Sequence, residues 1–235
     1  MNYDQIISEL KSLKNPKNVE GMARFGINPK NTLGISIYNL RPLAKQIGKN
    51  HQLALQLWKS KIHEARILAS YIDEPEKVTD AQLESWVSDF DSWDIVDQVS
   101  ELIAKTPYVI KKIHEWSNRE DPARNATQSV AGGEFVKRAG FALIAEIAWH
   151  DKKMADREFE QFFPLIKRAA TDERNFVKKA VNWALRNIGK RDKTLNKRAI
   201  DVAKELAESE DKTAKWIAKD ALRELTSEKI QSRVK

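Results

Sequence analysis

The sequence predicts an all-α fold, an α-solenoid of tandem helical repeats with a concave basic groove. Apolar residues recur at helical spacing along almost the whole chain, and the strict apolar/polar alternation of strands is absent. The eight glycines and seven prolines mostly punctuate segments of helical length. A segment that begins at Phe135 returns at Phe176, 41 residues later.

Helices are expected near 2–13, 40–49, 51–59, 62–73, 79–88, 92–105, 107–117, 134–149, 155–169, 174–189, 193–208 and 211–225. The first of them, in MNYDQIISELKSLKN, is amphipathic and unlike a secretory signal. Thr79 precedes an acidic first turn and Asp91 stands ahead of SWDIVD, so both are candidate helix starts. In the helix near 92–105, Ile95, Val96, Val99, Leu102 and Ile103 form one stripe. At about 100° per residue, Trp93 lies roughly 120° and Asp97 roughly 160° from the centre of that stripe. An aromatic ring and a carboxylate are therefore expected side by side, facing away from the core. Between the helices, SNREDPARNATQSVAGG reads as a polar loop rich in turn formers. Its Asn125-Ala126-Thr127 match to a glycosylation acceptor is read as chance, because no secretory signal accompanies it.

Repetition organises these helices into one expected domain spanning 1–235. FVKRAGFALIAEI and FVKKAVNWALRNI are the clear copies, and EARILASYI and WIAKDALREL are weaker ones. A period near 40 with two helices per unit is the mark of HEAT-like repeats, whose helix pairs bury one face on their neighbours. An irregular helical domain is the alternative. In the first copy Val136, Gly140, Leu143, Ile144 and Ile147 are expected inward, leaving Arg138 nearly opposite, with Ala142, Ala145 and Trp149 on its flank. In the second, Val177, Val181, Ala184, Leu185 and Ile188 point inward, and Lys179, Trp183, Arg186 and Lys190 share the outer face. A tryptophan among cations has two readings. It packs between repeats, as most of the seven Trp should, or it belongs to a site.

Composition narrows the chemistry. With 41% hydrophobic and 32% charged residues, the 235-residue chain can build an adequate core, and its apolar runs fall far short of a membrane span. An intracellular, cytoplasmic protein is expected. Zero cysteines exclude disulfides, thiolate metal sites and a Cys nucleophile, and the four histidines show no paired ligand spacing. No metal and no cofactor are expected. Charge then supplies a partner: residues 174–198 hold Arg174, Lys178, Lys179, Arg186, Lys190, Arg191, Lys193, Lys197 and Arg198 against the single acid Asp192. That excess of +8 accounts for the whole net charge of +7. A cluster of this kind is the footprint of a protein that neutralises phosphates, although a solvated basic face or an acidic protein partner would give the same count.

FDSWDIVDQV, FVKRAGFALIAEI and FVKKAVNWALRNI, in this order on tandem repeats, resemble the AlkD family of HEAT-like DNA glycosylases, which remove alkylated bases. NVEGMARFGI is similar to the family's N-terminal motif, so the resemblance runs over most of the chain. It implies that Asp97 is the catalytic carboxylate, that Trp93 and Trp183 embrace the deoxyribose of the lesion, and that Arg138 is an active-site arginine. It further implies a partner, duplex DNA containing alkylated bases such as 3-methyladenine or 7-methylguanine, and a reaction without a deep base-flipping pocket. Lys179, Arg186, Lys190, Arg191, Lys193, Lys197 and Arg198, with Arg41 and Phe25, are the candidate DNA contacts, and a monomer is the expected state.

The chemistry suits those residue types. Alkylation gives the purine a formal positive charge and makes it a good leaving group, so a carboxylate beside the developing sugar cation and a positioned water are what remain to be supplied. Aromatic faces add cation–π stabilisation. The sequence departs from the family pattern at Phe25, where the best-known member type carries a Tyr, at Ser36, where a longer polar side chain is expected, and in the longer loop 117–133, with Arg119 and Arg124 as candidate extra contacts. Two other readings stay open: a non-catalytic HEAT-like module that binds branched or damaged DNA, and a protein-interaction scaffold.

Overall fold

The computed structural model describes residues 1–119 and 131–234. Among these every regular element is helical. The chain divides into two compact units, Met1–Val109 and Ile110–Lys235. Every expected helix has a counterpart among the described residues, and the expected 155–169 helix is divided into a 3-10 segment, Asp156–Phe162, and a helix, Phe163–Ala169. Pro164, in the first turn of the latter, cannot donate to the preceding turn, which accounts for the break. The Asn125 match and Arg124 lie outside the described residues.

In the first unit run α1 (Tyr3–Ser12), α2 (Pro16–Arg24), α3 (Ile37–Ile47), α4 (His51–Lys59), α5 (His63–Ile72), α6 (Asp80–Ser88) and α7 (Trp93–Ile103). Helix α2 is not among the expected helices. None of its residues is buried, so it carries no core stripe, yet Asn15 accepts from the Asn18 N–H and Pro16 sits in the first turn, a sound start signal. Helix α5 is the centre of the unit, packed against α3, α4 and α7. All its residues but Tyr71 are buried, including a charged one, Glu64, which is fully enclosed.

Glu64 fixes the chain between α2 and α3. Its Oε1 accepts from the N–H groups of Leu33, Gly34 and Ile35 at 3.0, 2.7 and 3.1 Å, and its Oε2 from Leu33 at 2.9 Å. Three orphan donors thus converge on one buried carboxylate, the arrangement that makes a buried charge tolerable. Asn15 N–H donates to the Leu33 carbonyl at 2.8 Å, the Asn18 amide to the Gly34 carbonyl at 2.9 Å, and His63 N–H to the Asn31 carbonyl at 3.0 Å. Gly34 is required here. Its φ is +81°, and a Cβ would stand 2.2 Å from the Asn15 carbonyl oxygen.

The second unit contains most of α8 (Val109–Ser117), then α9 (Ala131–His150), the 3-10 segment, α10 (Phe163–Ala169), α11 (Asn175–Ile188), α12 (Lys193–Ala207), α13 (Lys212–Leu225) and a short α14 (Glu228–Gln231). Helix α9 packs on α11, α11 on α13, and α12 on α13. The α9–α11 packing holds the two clear sequence copies together. Phe135 and Phe176 meet with ring centres 5.4 Å apart, Glu134 accepts from the Phe176 N–H at 2.8 Å, and Arg138 Nη1 donates to the Phe176 carbonyl at 2.9 Å. Gly140 lies against α8, where a Cβ would come 2.4 Å from the Ser117 nitrogen. Polar links between successive repeats keep a nearly constant separation: Asn182 to Asp220 and Arg186 to Glu224, like Arg198 to Glu160, are each 38 residues apart.

The Glu64 anchor yields a prediction. Glu64→Gln replaces a charged acceptor of several N–H groups by an amide and should cost about 2 kcal/mol, the scale of hydrogen bonds to a charged group. The measurement is the urea midpoint, which should fall with little change in slope; an unchanged midpoint would show that the loop holds without this carboxylate.

Candidate functional site

Helix α7 presents two faces. Ile95, Val96, Val99, Leu102 and Ile103 are buried, whereas Trp93 and Asp97, one turn apart, are half-buried. The Trp93 indole N–H donates to the Phe25 carbonyl at 3.0 Å, which fixes the ring against the end of α2. Phe25 itself is 76% exposed. Arg41 on α3 is exposed, and its guanidinium lies 6.0 Å from the centre of the Tyr71 ring; hydrogen bonding to Tyr71 raises the arginine pKa further.

Beside Trp93 is a cavity of about 730 Å³, lined by α2, the anchored 26–37 segment, and the first turns of α5 and α7. Its wall includes Asn18, Gly21, Met22, Phe25, Ser36, His63, Trp93 and Asp94. His63 Nε2 and Asp94 Oδ2 are 2.8 Å apart, and both residues are buried. Burial pushes the His63 pKa down, but the Asp94 hydrogen bond and charge, with Glu64 and Asp91 nearby, outweigh it and hold it above the ordinary histidine value. Asp97 is not part of this wall. Sequence reasoning misses the cavity. NVEGMARFGI stands out as a motif, but with no helix assigned to it nothing connects Gly21 or Met22 to His63 and Asp94.

In the second unit the expectation for Arg138 needs correction. It does not project outward: it is 5% exposed, and it holds the Phe176 carbonyl. Its flank neighbours Ala142 and Ala145 are fully enclosed, so α9 is buried around its circumference there, and a single-stripe reading fails for a helix packed on several sides. Trp183 on α11 is half-buried. Trp149 is 56% exposed with Lys190 over its ring at 5.9 Å, so it does not fill the space between repeats.

The basic cluster is also partly spent on internal pairing. Acids from elsewhere in the unit fold onto it: Arg174 pairs with Asp172, Arg186 and Lys190 with Glu224, and Arg198 with Glu160. Burial opposes the Asp172 charge, but hydrogen bonds from Arg174 and Lys137 lower its pKa to about 2. Arg191 is withdrawn from solvent and corrects the expectation of an exposed phosphate contact. It pairs with Asp156 at 2.9 Å and donates to the carbonyls of Ala148, Asp151 and Met154 at 3.0, 2.7 and 3.2 Å, closing the C-terminal end of α9. Lys179, Lys193 and Lys197 are exposed and form no salt bridge with the described residues. No group of three or more His, Asp or Glu placed to hold a metal occurs among the described residues, and no described helix is long and apolar enough to cross a membrane.

The family model described as DNA alkylation repair enzyme matches residues 6–225. The chain belongs to that family. An uncharacterised protein of Listeria innocua is 23% identical over 207 residues, covering 86% of this chain and 85% of its own. One from Listeria monocytogenes is 30% identical over 87 residues, 36% of this chain and 39% of its own. A solved structure described as a new family of proteins related to the HEAT-like repeat DNA glycosylases with affinity for branched DNA structures has the same fold, with a TM-score of 0.75 at 17% identity over 95% of both chains. Membership in the DNA alkylation repair family and the HEAT-like architecture therefore agree with the repeats read from the sequence.

The two kinds of cation in this family member should separate on substitution. Arg191→Met leaves several buried carbonyls without a donor and should lower stability by roughly 2–4 kcal/mol, whereas Lys193→Met at an exposed position should stay within about 0.5 kcal/mol. Thermal unfolding of the two variants checks this, and equal melting points would remove the capping role from Arg191.

Proposed function

We propose that this protein is a monofunctional DNA glycosylase that hydrolyses the N-glycosidic bond of positively charged alkylated purines, 3-methyladenine and 7-methylguanine, in duplex DNA, without a cofactor. The observation that carries this reading is the pairing of a half-buried indole and a half-buried carboxylate, Trp93 and Asp97, one turn apart on the face of α7 opposite its core stripe. Membership in the DNA alkylation repair family supports it.

In the proposed reaction the bond between C1′ and the base nitrogen breaks first in effect. Its electron pair leaves with the base, which thereby loses its positive charge, and cationic character passes to the sugar. Asp97 stabilises that charge and orients a water, whose oxygen bonds to C1′ while its proton passes to Asp97 or to solvent. Trp93 offers its ring face to the sugar cation. The resemblance to the AlkD family implies a role for a second aromatic, Trp183 on α11. Arg138 enters as a positioning residue, since its guanidinium holds the Phe176 carbonyl at the start of the helix that carries Trp183. Phosphates are proposed to be bound by Lys179, Lys193 and Lys197, with Arg41 on α3. Arg186, Lys190 and Arg198 share their charge with internal acids and contribute less.

A second reading has its own support. The solved relative is described by its affinity for branched DNA, and a non-catalytic binder would keep the exposed lysines while being indifferent to Asp97.

Asp97→Asn should retain folding and duplex binding but release 7-methylguanine from methylated duplex at least about 10²-fold more slowly, the scale of removing one electrostatic group. Equal release by both proteins would favour the binding-only reading. Joint replacement of Lys179, Lys193 and Lys197 by Met should weaken binding to any duplex and flatten the dependence of log K on log salt by about one unit for each phosphate no longer neutralised. A slope identical to the native one would place the phosphate-binding surface elsewhere.

A further inference from the structure

Helix α13 has a face that the core does not use. Ala214, Ile217, Ala218, Ala221 and Leu225 are buried along one side of it. At about 100° per residue, Lys212, Trp216, Lys219 and Arg223 fall within roughly 60° of one another on the opposite side, and all four are exposed. Tryptophan normally hides most of its area, yet Trp216 is 41% exposed. Lys178 of the neighbouring α11 sets its Nζ 5.0 Å from the centre of the indole ring, a cation–π contact that steadies the ring and leaves much of it open.

The acids of α13 and of its N-terminal cap are already committed. Asp220 accepts from Asn182 and pairs with Arg223, Glu224 pairs with Arg186 and Lys190, and Asp211 accepts from the Thr213 and Ala214 N–H groups. Lys215 meets Glu210 at 3.8 Å, whereas Lys178, Lys212 and Lys219 form no salt bridge among the described residues. An indole is therefore set between uncompensated cations, Lys212 one turn before it and Lys219 one turn after it. Duplex phosphates would be met by the lysines alone, because paired and stacked bases show no open face to a ring. An unpaired strand offers both phosphates and bare base faces. We propose that this face of α13 binds single-stranded DNA, with one base stacked on Trp216 and the adjoining phosphates held by Lys212 and Lys219. The base is an ordinary one in a strand that leaves a duplex, not a lesion, and the inference is independent of Asp97 and of base excision.

The test compares labelled duplexes that differ only at one end: blunt, extended by a short unpaired thymidine strand, or extended by an abasic strand of the same length and charge. By fluorescence anisotropy the native protein should bind the thymidine overhang about fivefold or more tightly than the abasic one, the scale of one base–aromatic stack. Trp216→Ala should abolish that preference and leave blunt-duplex binding unchanged, and Trp216→Phe, which keeps an aromatic face, should preserve it. Joint Lys212→Met and Lys219→Met substitution should weaken binding to both overhangs and lower the salt slope by about 0.7 for each phosphate no longer neutralised. The abasic comparison needs only the native protein, so it decides the matter even where a Trp216 variant folds poorly. Equal native affinity for the thymidine and abasic overhangs overturns the proposal, as does a preference that survives Trp216→Ala. Displacement of the overhang by polyglutamate as readily as by a thymidine strand of equal charge also overturns it, and would make the face a site for an acidic protein. No arm reads base release, so failure of the excision reading and failure of this one are separate results.

Discussion

A single buried carboxylate decides the shape of the first unit. Glu64 gathers three consecutive backbone N–H groups from a segment that has no helix or sheet to satisfy them. An irregular backbone can be enclosed only when its donors find partners, and a carboxylate with two oxygens is the most economical partner available. The residue before Glu64, His63, is thereby placed next to the same segment and in reach of Asp94 on α7. The loop is thus held by Glu64, and its neighbour His63 links the head of α5 to the first turn of the helix that bears Trp93 and Asp97.

The second unit is held together by a different device. Side chains of one repeat serve the backbone and charges of the next at nearly fixed sequence separations, as when Glu134 and Arg138 grip both polar groups of Phe176. Such links suit a one-dimensional stack, where each unit touches its neighbours and little else. They also redistribute charge. Acids such as Glu224 stand far from residues 174–198 in sequence but next to Arg186 and Lys190 in space.

How much of this is legible in the sequence follows from those mechanisms. Helices with one buried stripe, such as α7 and α11, are readable because a periodic pattern reports a single face. Helix α2 buries nothing fully and leaves no pattern, although its Asn15-Pro16 start is visible, and the cavity is missed with it. Arg138 is misplaced because α9 is covered on more than one side, so its apparent outer flank is interior. Arg191 is misread because summing charges over a window cannot see carbonyl groups that arrive from 40 or more residues away. The placement of Trp93 and Asp97 off the α7 stripe is readable because the five stripe residues are buried and these two are only half-buried, although Asp94 and Ser100 are buried as well.

Gly140 carries a consequence for modularity. In the aligned copies its counterpart is Val181, since Phe135 matches Phe176. The backbone of Ser117 closes so tightly on Gly140 that no side chain fits. Despite their shared pattern, the two units of repetition are therefore not interchangeable bricks: transplanting the later copy into the earlier slot would wedge an isopropyl group into a neighbouring helix end. Each copy is keyed to its own berth, and the array can be lengthened or shuffled only where such a lock is absent.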